Sequence, residues 1–598
     1  MGTGASVGAA VGVGIRADGG LNLAQNGVGN NLLLGYQTGQ SLAPNVAGFQ
    51  GIGNLALGYQ AGQATTTGSY NLFSGYQAGY NTTIGSHDQF SGYQSGFFTT
   101  TGHDNQFGGY QSGYNTTTGS YNHFDGVQSG YANTTGSHNL FRGFRSGYAN
   151  TTGSYNLFSG TQSGLSNTDG SFNLFSGNQS GASNTSGSDN LFSGYQAGYF
   201  NTSGNDNLFS GYRSGYNNTT GNYNQFSGSY SGTSNTIGSY NHFSGFASGT
   251  SNTTGSANLF EGYQSGQNNT TGNYNQFSGF QSGYSNTTGS DNLFVGNQCG
   301  LSNTTGTQNQ FSGIQSGYNN TSGFSNNFSG YQSGYSNTTG PGNLFSGTQS
   351  GFRNTTGIFN LFSGYQSGYY NTTGSNNTAL GYDSGPSLGS VVLTNTTALG
   401  ANATVTTSNT IQLGDANIAS LRCQVGLTIT SDSRFKYDVQ ANVPGLAFVT
   451  ALRPVTYRFD QNRLTQFEQT GTLAPRSAPD PAATRHTGFL AQDVERVARG
   501  LGFAFDGVHA PANARDPYGL GYAQFVVPLV RAVQELNTEV EALKARNAAL
   551  QATNAALQTG SATDHAALLA DHAALRTMQK QLARLLGETP AATAQARQ

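Results

Sequence analysis

The chain has 598 residues, of which only 8% are charged and 89 are glycine, with 33 tyrosines and no tryptophan. An average soluble domain has about 25% charged residues, so the composition excludes an ordinary globular protein over most of the length. The net charge of −3 gives no electrostatic reason to expect nucleic acid as a partner, and no apolar run reaches the roughly 18 residues of a membrane span, so no membrane insertion is expected.

Residues 1–52 are predicted to form an irregular or capping N-terminal region. The opening stretch, MGTGASVGAAVGVGIRADGG, has no basic segment before an apolar one, so no signal peptide is recognised. The two cysteines, Cys299 and Cys423, are too far apart in sequence to indicate a disulfide framework or a metal site. No cofactor and no metal are expected.

Residues 53–387 form a repeat with a period of 17. Phenylalanine recurs without insertion at positions 73, 90, 107, 124, 141, 158, 175, 192, 209, 226, 243, 260, 277, 294, 311, 328, 345 and 362, and glycine follows two positions later. One unit reads FSGYQAGYNTTIGSHDQ. A disordered linker has no need of such register, whereas a solenoid must place each side chain above its counterpart. Short segments such as NLFSGYQ, separated by glycine and NTTG turns, predict short strands.

The predicted fold class is therefore mainly β, a long parallel β-roll or β-solenoid, followed by a small α+β domain and C-terminal helices. Coils about 4.8 Å apart would stack to a length of about 95 Å. The residue before each phenylalanine varies among Leu, Gln, His and Asn, which indicates that the phenylalanine points inward. A phenylalanine row that faces a second subunit would give the same pattern.

Residues 388–430 change the step. ALG at 398–400 and QLG at 412–414 lie 14 residues apart in TNTTALGANATVTTSNTIQLGDANI. This stretch resembles the head repeats of trimeric autotransporter adhesins, which form left-handed parallel β-rolls in a three-chain bundle. The resemblance implies that 388–430 is the end of the same shaft.

From residue 431 the composition becomes ordinary, and the first lysine of the chain, Lys436, appears. SDSRFKYDV, LAFVTALRPVTYRFD, RHTGFLAQDVERV and YAQFVVPLVRAVQEL occur in that order over about 431–545. Together they resemble the chaperone-of-endosialidase family, the C-terminal domains of phage tail spikes and fibres. These domains help three chains to assemble and then cut themselves off. Residues 431–530 would be this chaperone and autoprotease domain.

The resemblance implies a serine–lysine dyad, with Ser431 as nucleophile, Lys436 as base and Thr430–Ser431 as the bond that is cut. It also implies a role in processing for His486, and a supporting role for Asp432 and Arg434. Spacing alone allows another choice, because Ser433 and Lys436 would be neighbours on a helix whereas residues five apart would not. A lysine acts as a base only where its environment favours the neutral amine.

Residues 531–598 are predicted to form coiled-coil helices. Leucine recurs every seven residues at 536, 543, 550 and 557, with Val533, Val540, Asn547 and Asn554 on the alternate seam. TGSATD at 559–564 is expected to break the helix, and the second piece could fold back as an intrachain hairpin or continue the bundle.

Other chemistry has weaker support. The nine histidines do not cluster, and the acidic residues of the repeat occupy different positions in the unit, which does not favour a glycosidase carboxylate pair. The NTT and NTS sequons fit turns and stacked asparagine ladders better than glycosylation.

The sequence thus predicts a homotrimeric tail fibre or surface adhesin, located on a virion tail or at a cell surface, that recognises a cell-surface glycan or receptor. The only predicted enzyme activity is self-cleavage. The alternatives are a monomeric solenoid that binds glycan or ice on flat threonine and asparagine rows, and a tailspike polysaccharide depolymerase.

Overall fold

The computed structural model describes residues 30–44, 48, 50–389, 392–476 and 483–587, and the backbone of Val13–Ile15 and Leu21–Leu23. Most of the predicted N-terminal region, 1–52, therefore lies outside the described residues. The chain divides into two compact units at Ala419 and Ser420. The first is a parallel β-solenoid of 17-residue coils, and the second contains a small α+β region and a long C-terminal helix, so the predicted fold class is confirmed.

The strands of the first unit are three residues long, with two exceptions. Strands β1 and β2 pair antiparallel. Each strand from β3 to β22 pairs in parallel with the next one in sequence, and the ladder continues from β23 to β25 and then to β27. The short strands β24 and β26 pair with each other. The bounds are β1 Val13–Ile15, β2 Leu21–Leu23, β3 Leu32–Leu34, β4 Leu55–Leu57, β5 Leu72–Ser74, β6 Gln89–Ser91, β7 Gln106–Gly108, β8 His123–Asp125, β9 Leu140–Arg142, β10 Leu157–Ser159, β11 Leu174–Ser176, β12 Leu191–Ser193, β13 Leu208–Ser210, β14 Gln225–Ser227, β15 His242–Ser244, β16 Leu259–Glu261, β17 Gln276–Ser278, β18 Leu293–Val295, β19 Gln310–Ser312, β20 Asn327–Ser329, β21 Leu344–Ser346, β22 Leu361–Ser363, β23 Thr378–Leu380, β24 Gly385–Pro386, β25 Thr397–Leu399, β26 Thr404–Val405 and β27 Ile411–Leu413.

The phenylalanine of each repeat lies inside the coil. Every one of these side chains from Phe73 to Phe362 is at most 1% exposed, while its neighbours in the strand face outward. Consecutive rings stack with centroids 4.7–5.3 Å apart, which is the spacing of adjacent strands. The inward orientation is confirmed, and the alternative of a phenylalanine row facing a second subunit is wrong, because one chain buries the row by itself.

Two internal asparagine columns complete the core. In the first, the backbone N–H of Asn122 donates to Asn105 Oδ1 of the preceding coil at 3.0 Å, and its Nδ2 donates to the carbonyl of Gly136 at 2.9 Å. In the second, Asn150 Nδ2 donates to Asn133 Oδ1 at 2.7 Å. The column satisfies polar groups that burial would otherwise penalise. Asn133 and Asn150 belong to sequons, and their complete burial leaves no room for a glycan on the folded shaft.

This burial also removes the asparagine rows from any flat binding surface of the kind that the ice-binding alternative requires. The outer surface instead carries stacked aromatic side chains. The rings of Tyr59, Tyr76 and Tyr93 lie 5.0 Å apart with interplanar angles below 10°. Because each ring covers the face of the next, the ring edges and hydroxyl groups meet the solvent.

Glycine is required where adjacent coils approach each other most closely. Gly211 has φ +134°, and a Cβ added there would lie 2.6 Å from the backbone of Gly228 in the next coil. The glycine two positions after each phenylalanine is therefore needed for two reasons. Its backbone has a positive φ, and the next coil lies too close for any side chain.

In the second unit, two short helices and the start of a long one pack together beside a small aromatic core. Phe448, Val494 and Ala498 are buried, with Phe503 and Phe525 packed against them. The helices are α1 Leu446–Ala451, α2 Gln461–Thr470, α3 Ala491–Gly500 and α4 Val526–Leu585, with 3-10 turns at Ser433–Phe435 and Tyr522–Phe525. The antiparallel pairs are β28 Val455–Arg458 with β29 Arg485–Gly488, and β30 Val508–His509 with β31 Gly519–Leu520.

Helix α4 is continuous over 60 residues, so the predicted break at 559–564 and the alternative of an intrachain hairpin are both wrong. A single glycine, Gly560, costs only about 1 kcal/mol in a helix, and TGSATD contains no proline. The hydroxyl groups of this stretch bond within the helix, since Thr559 Oγ1 donates to Ala555 O at 2.7 Å and Thr563 Oγ1 to Thr559 O at 2.6 Å.

A candidate serine–lysine site

The segment SDSRF forms a single capped turn. Asp432 is the N-cap of the 3-10 turn Ser433–Phe435, and its Oδ1 accepts the backbone N–H of Arg434 at 2.9 Å. Its Oδ2 accepts from Arg434 Nε at 2.9 Å and Nη2 at 2.6 Å. These hydrogen bonds from Arg434 hold the pKa of Asp432 below its ordinary value. The two side chains fix the turn that separates Ser431 from Lys436.

The turn brings Ser431 and Lys436 together. Lys436 Nζ donates to Ser431 Oγ at 2.6 Å. The turn ends at Phe435, and Lys436 has extended backbone angles of φ −105° and ψ 133°, so its side chain returns past the turn to the serine. Helical spacing would instead have paired Lys436 with Ser433, whose carbonyl accepts only the lysine backbone N–H at 3.2 Å. The spacing argument fails because one 3-10 turn is too short to impose α-helical neighbours.

The described contacts of His486 are with residues other than the dyad. This histidine is an exposed residue of β29, opposite Tyr457 of β28, and the two rings lie 5.8 Å apart. Among the described residues no hydrogen bond or ring contact joins His486 to Ser431 or Lys436. The structure thus places four of the predicted site residues in one turn, next to Thr430, and the histidine in a separate antiparallel strand pair.

The second, third and fourth sequence motifs meet in the second unit. Arg453 Nη2 pairs with Asp493 Oδ2 at 2.7 Å, which joins the second motif to the third. The backbone N–H of Phe489 donates to Tyr522 Oη at 3.1 Å, and that of Leu446 donates to a Glu535 carboxylate oxygen at 2.7 Å. Sequence reasoning did not single out these positioning residues. Their only signal was membership of the motifs, because each contact spans tens of residues.

No group of three or more metal-binding side chains occurs among the described residues. In the same part of the chain, no helix is long and apolar enough to cross a membrane.

Comparison with protein-family models gives a match to part of the second unit. No curated protein matches the chain. The match to a family model begins at the serine of the candidate dyad and covers α1, α2, α3 and the antiparallel strand pair β28 and β29. Residues 431–503, which contain the first three of the four motifs, match the family described as chaperone of endosialidase, directly after a long repeat region, so the suspected resemblance is confirmed.

Proposed function

We propose that the chain is a homotrimeric fibre of the tail-fibre or surface-adhesin type, whose C-terminal region assembles three copies and then releases itself. The observation that carries this proposal is the hydrogen bond of 2.6 Å between Lys436 Nζ and Ser431 Oγ. It lies at the first residue of the family match and beyond the last strand of the solenoid, at the point where a cut would separate shaft from chaperone.

The proposed reaction uses Ser431 to cut the bond before it. Neutral Lys436 takes the hydroxyl proton while Oγ adds to the carbonyl carbon of Thr430. The C–N bond breaks, Lys436 returns the proton to the departing nitrogen, and Thr430 becomes an ester of Ser431. Water then hydrolyses the ester, which leaves a Thr430 carboxylate and restores the serine hydroxyl.

Assembly of three copies would bury the dyad, which is exposed in a single chain. Ser431 and Lys436 are both exposed, and a lysine donates rather than accepts a proton while it is charged. Burial favours the neutral amine, which is the form that can act as base. Phe435 and Tyr437 flank the lysine and are 76% and 93% exposed, so they offer apolar surface that a neighbouring copy would cover. Cutting would then follow assembly.

Helix α4 provides the surface for three copies. Its heptad leucines Leu536, Leu543, Leu550 and Leu557 are 49–65% exposed, so none of the described residues covers the seam. A seam of this kind is buried by copies of the same helix in a coiled coil. Parallel, non-local strand pairing folds slowly, and a C-terminal clamp would align three chains before the coils form. Release of the clamp would leave the shaft kinetically trapped.

A fibre with these parts belongs on a virion tail or outside a cell, and we place the receptor contact on the shaft. The tyrosine columns present hydroxyl rows rather than ring faces, so a glycan would be recognised there by hydrogen bonds rather than by stacking on a ring.

The test is the intact mass of the purified chain beside Ser431→Ala and the matched control Ser433→Ala. We expect fragments 1–430 and 431–598 from the wild type and from Ser433→Ala, and an uncut chain from Ser431→Ala. A cut that persists in Ser431→Ala but is lost in Ser433→Ala would move the nucleophile to Ser433. An uncut wild type that is trimeric by analytical ultracentrifugation would refute the cleavage, and an uncut monomer would refute both parts.

A further inference from the structure

The segment between the solenoid and the dyad, residues 419–430, is called the junction arm here. Every residue of the arm is exposed. Within the described chain, no hydrogen bond from backbone or side chain starts or ends at any of its residues. Twelve consecutive residues thus hold unpaired N–H and C=O groups, the edge that β-sheets normally pair or protect.

The side chains of the arm alternate strictly. The odd-numbered positions are apolar, and they are Ala419, Leu421, Cys423, Val425, Leu427 and Ile429. The even-numbered positions are polar or glycine, and they are Ser420, Arg422, Gln424, Gly426, Thr428 and Thr430. A period of two places one set on each face of an extended strand. The apolar side chains are uncovered, with Leu427 91% and Val425 79% exposed.

We propose that the junction arms of three copies of this chain pair as parallel strands in register, with the odd-numbered side chains turned towards the common axis. This inference rests on the proposed trimer and adds the place at which the three chains of the shaft pair with one another. The arm leads directly into the unit that carries the uncovered heptad seam of α4, so copies that join through α4 bring identical arms to the same level. In register, each apolar residue meets its own counterpart.

Charge is consistent with identical partners. The arm has no acidic residue, and its one cation, Arg422, lies on the even-numbered face that stays in water. Pairing copies therefore buries no charge and needs no complementary partner. The cut at Thr430–Ser431 would leave the paired arms as the C-terminal end of the released shaft, where they would hold its three chains together.

The chain carries its own probe for this arrangement. Cys423 is exposed on the apolar face, and Cys299 is buried in the solenoid. Disulfides form only between Cα atoms that are about 4.4–6.8 Å apart, so cross-linking reports the register of the arms. Because three thiols at one level can form only one disulfide, complete reaction of a threefold bundle would leave one chain in three unlinked.

The experiment is oxidation of the full-length Ser431→Ala chain with copper–phenanthroline at low protein concentration. In a Cys423→Ser background, which keeps only the buried Cys299, one exposed cysteine is introduced by Arg422→Cys, Gln424→Cys or Val425→Cys. We expect cysteines at 423 and 425 to cross-link at least tenfold faster than those at 422 and 424, with about two-thirds of the chains in dimers at completion. Equal rates at odd and even positions, or no cross-linking, would overturn the proposal, and conversion of all chains to dimers would overturn the threefold arrangement.

Ultracentrifugation of the same samples separates this inference from the proposed function. A trimer without the odd–even difference would refute the paired arms and leave the trimer standing, whereas a monomer would refute both. A second pair of variants tests the consequence for the cleaved shaft. Leu427→Asp should lower the trimer fraction of fragment 1–430 at least tenfold, and the neighbouring Thr428→Asp should leave it unchanged. Equal behaviour of the two variants would contradict an apolar face at the axis.

Discussion

Replacing Asp88 by asparagine is expected to stabilise the solenoid, and to do so more at pH 8 than at pH 5. Asp88 is fully buried in the first asparagine column, where its neighbours are Asn71 and Asn105. Its Oδ1 accepts the backbone N–H and Nδ2 of Asn105 at 2.9 and 3.1 Å. Its Oδ2 has no hydrogen-bond partner in the described structure, whereas Asn71 Nδ2 donates to the carbonyl of Gly85 in the next coil at 2.9 Å. Only a protonated carboxyl could donate as asparagine does.

Burial raises the pKa of Asp88 from 3.8 to about 8. A carboxyl with a raised native pKa contributes stability that is fully present below pH 3.8 and is lost as the pH rises to about 8. Each pH unit in this window is worth about 1.4 kcal/mol, so the deficit of the wild type against Asp88→Asn should grow by roughly 4 kcal/mol between pH 5 and pH 8.

Hydrogen exchange is the suitable assay, because coils of a solenoid open locally and a melting curve would average over the whole array. Exchange of the peptide 86–108 is compared between wild type and Asp88→Asn at the same pH, which cancels the intrinsic pH dependence. The protection gained by the variant should be about a thousandfold greater at pH 8 than at pH 5. The exposed Asp189→Asn is the matched control and should show no such difference. A gain that is equal at both pH values would refute the reasoning.

Three further substitutions test the packing of the shaft and of α4. Phe226→Ala should lower local stability, measured by hydrogen exchange, by about 3–5 kcal/mol, because it leaves a cavity in the buried ring stack. The control Gln225→Ala, at an outward position, should cost under about 0.5 kcal/mol. Similar costs for the two variants would contradict the inward phenylalanine row. Thr116→Asn should add about 1 kcal/mol of local stability, because the buried Thr116 Oγ1 has no hydrogen-bond partner in the described structure. An asparagine there would extend the column that begins at Asn133. A loss of stability would show that the coil has no room for the larger side chain. Gly560→Ala should stabilise α4 by about 1 kcal/mol in thermal unfolding followed by circular dichroism, because nothing lies within 4 Å of the added carbon, and a destabilised helix would argue for a break at that position.

The 17-residue spacing determined most of the shaft. Exact recurrence of phenylalanine and glycine leaves a stacked coil as the arrangement that gives every repeat the same environment, and the free variation before each phenylalanine indicated its inward side. The position of the family match also followed from sequence, because several motifs in fixed order are far more specific than one.

Tertiary structure decided what spacing alone leaves open. A Ser–Lys separation of five residues is compatible with contact or with opposite faces, and the choice depends on the single turn that Asp432 caps. The TGSATD stretch reads as a helix break, but its threonine hydroxyls are satisfied within α4, so the helix continues. The sequence places Asp88 where the neighbouring units have asparagine, but only the structure shows that this position lies in a buried column whose hydrogen-bond pattern suits an amide. In each case the outcome depends on which partner atoms surround a side chain, and a linear pattern does not contain that information.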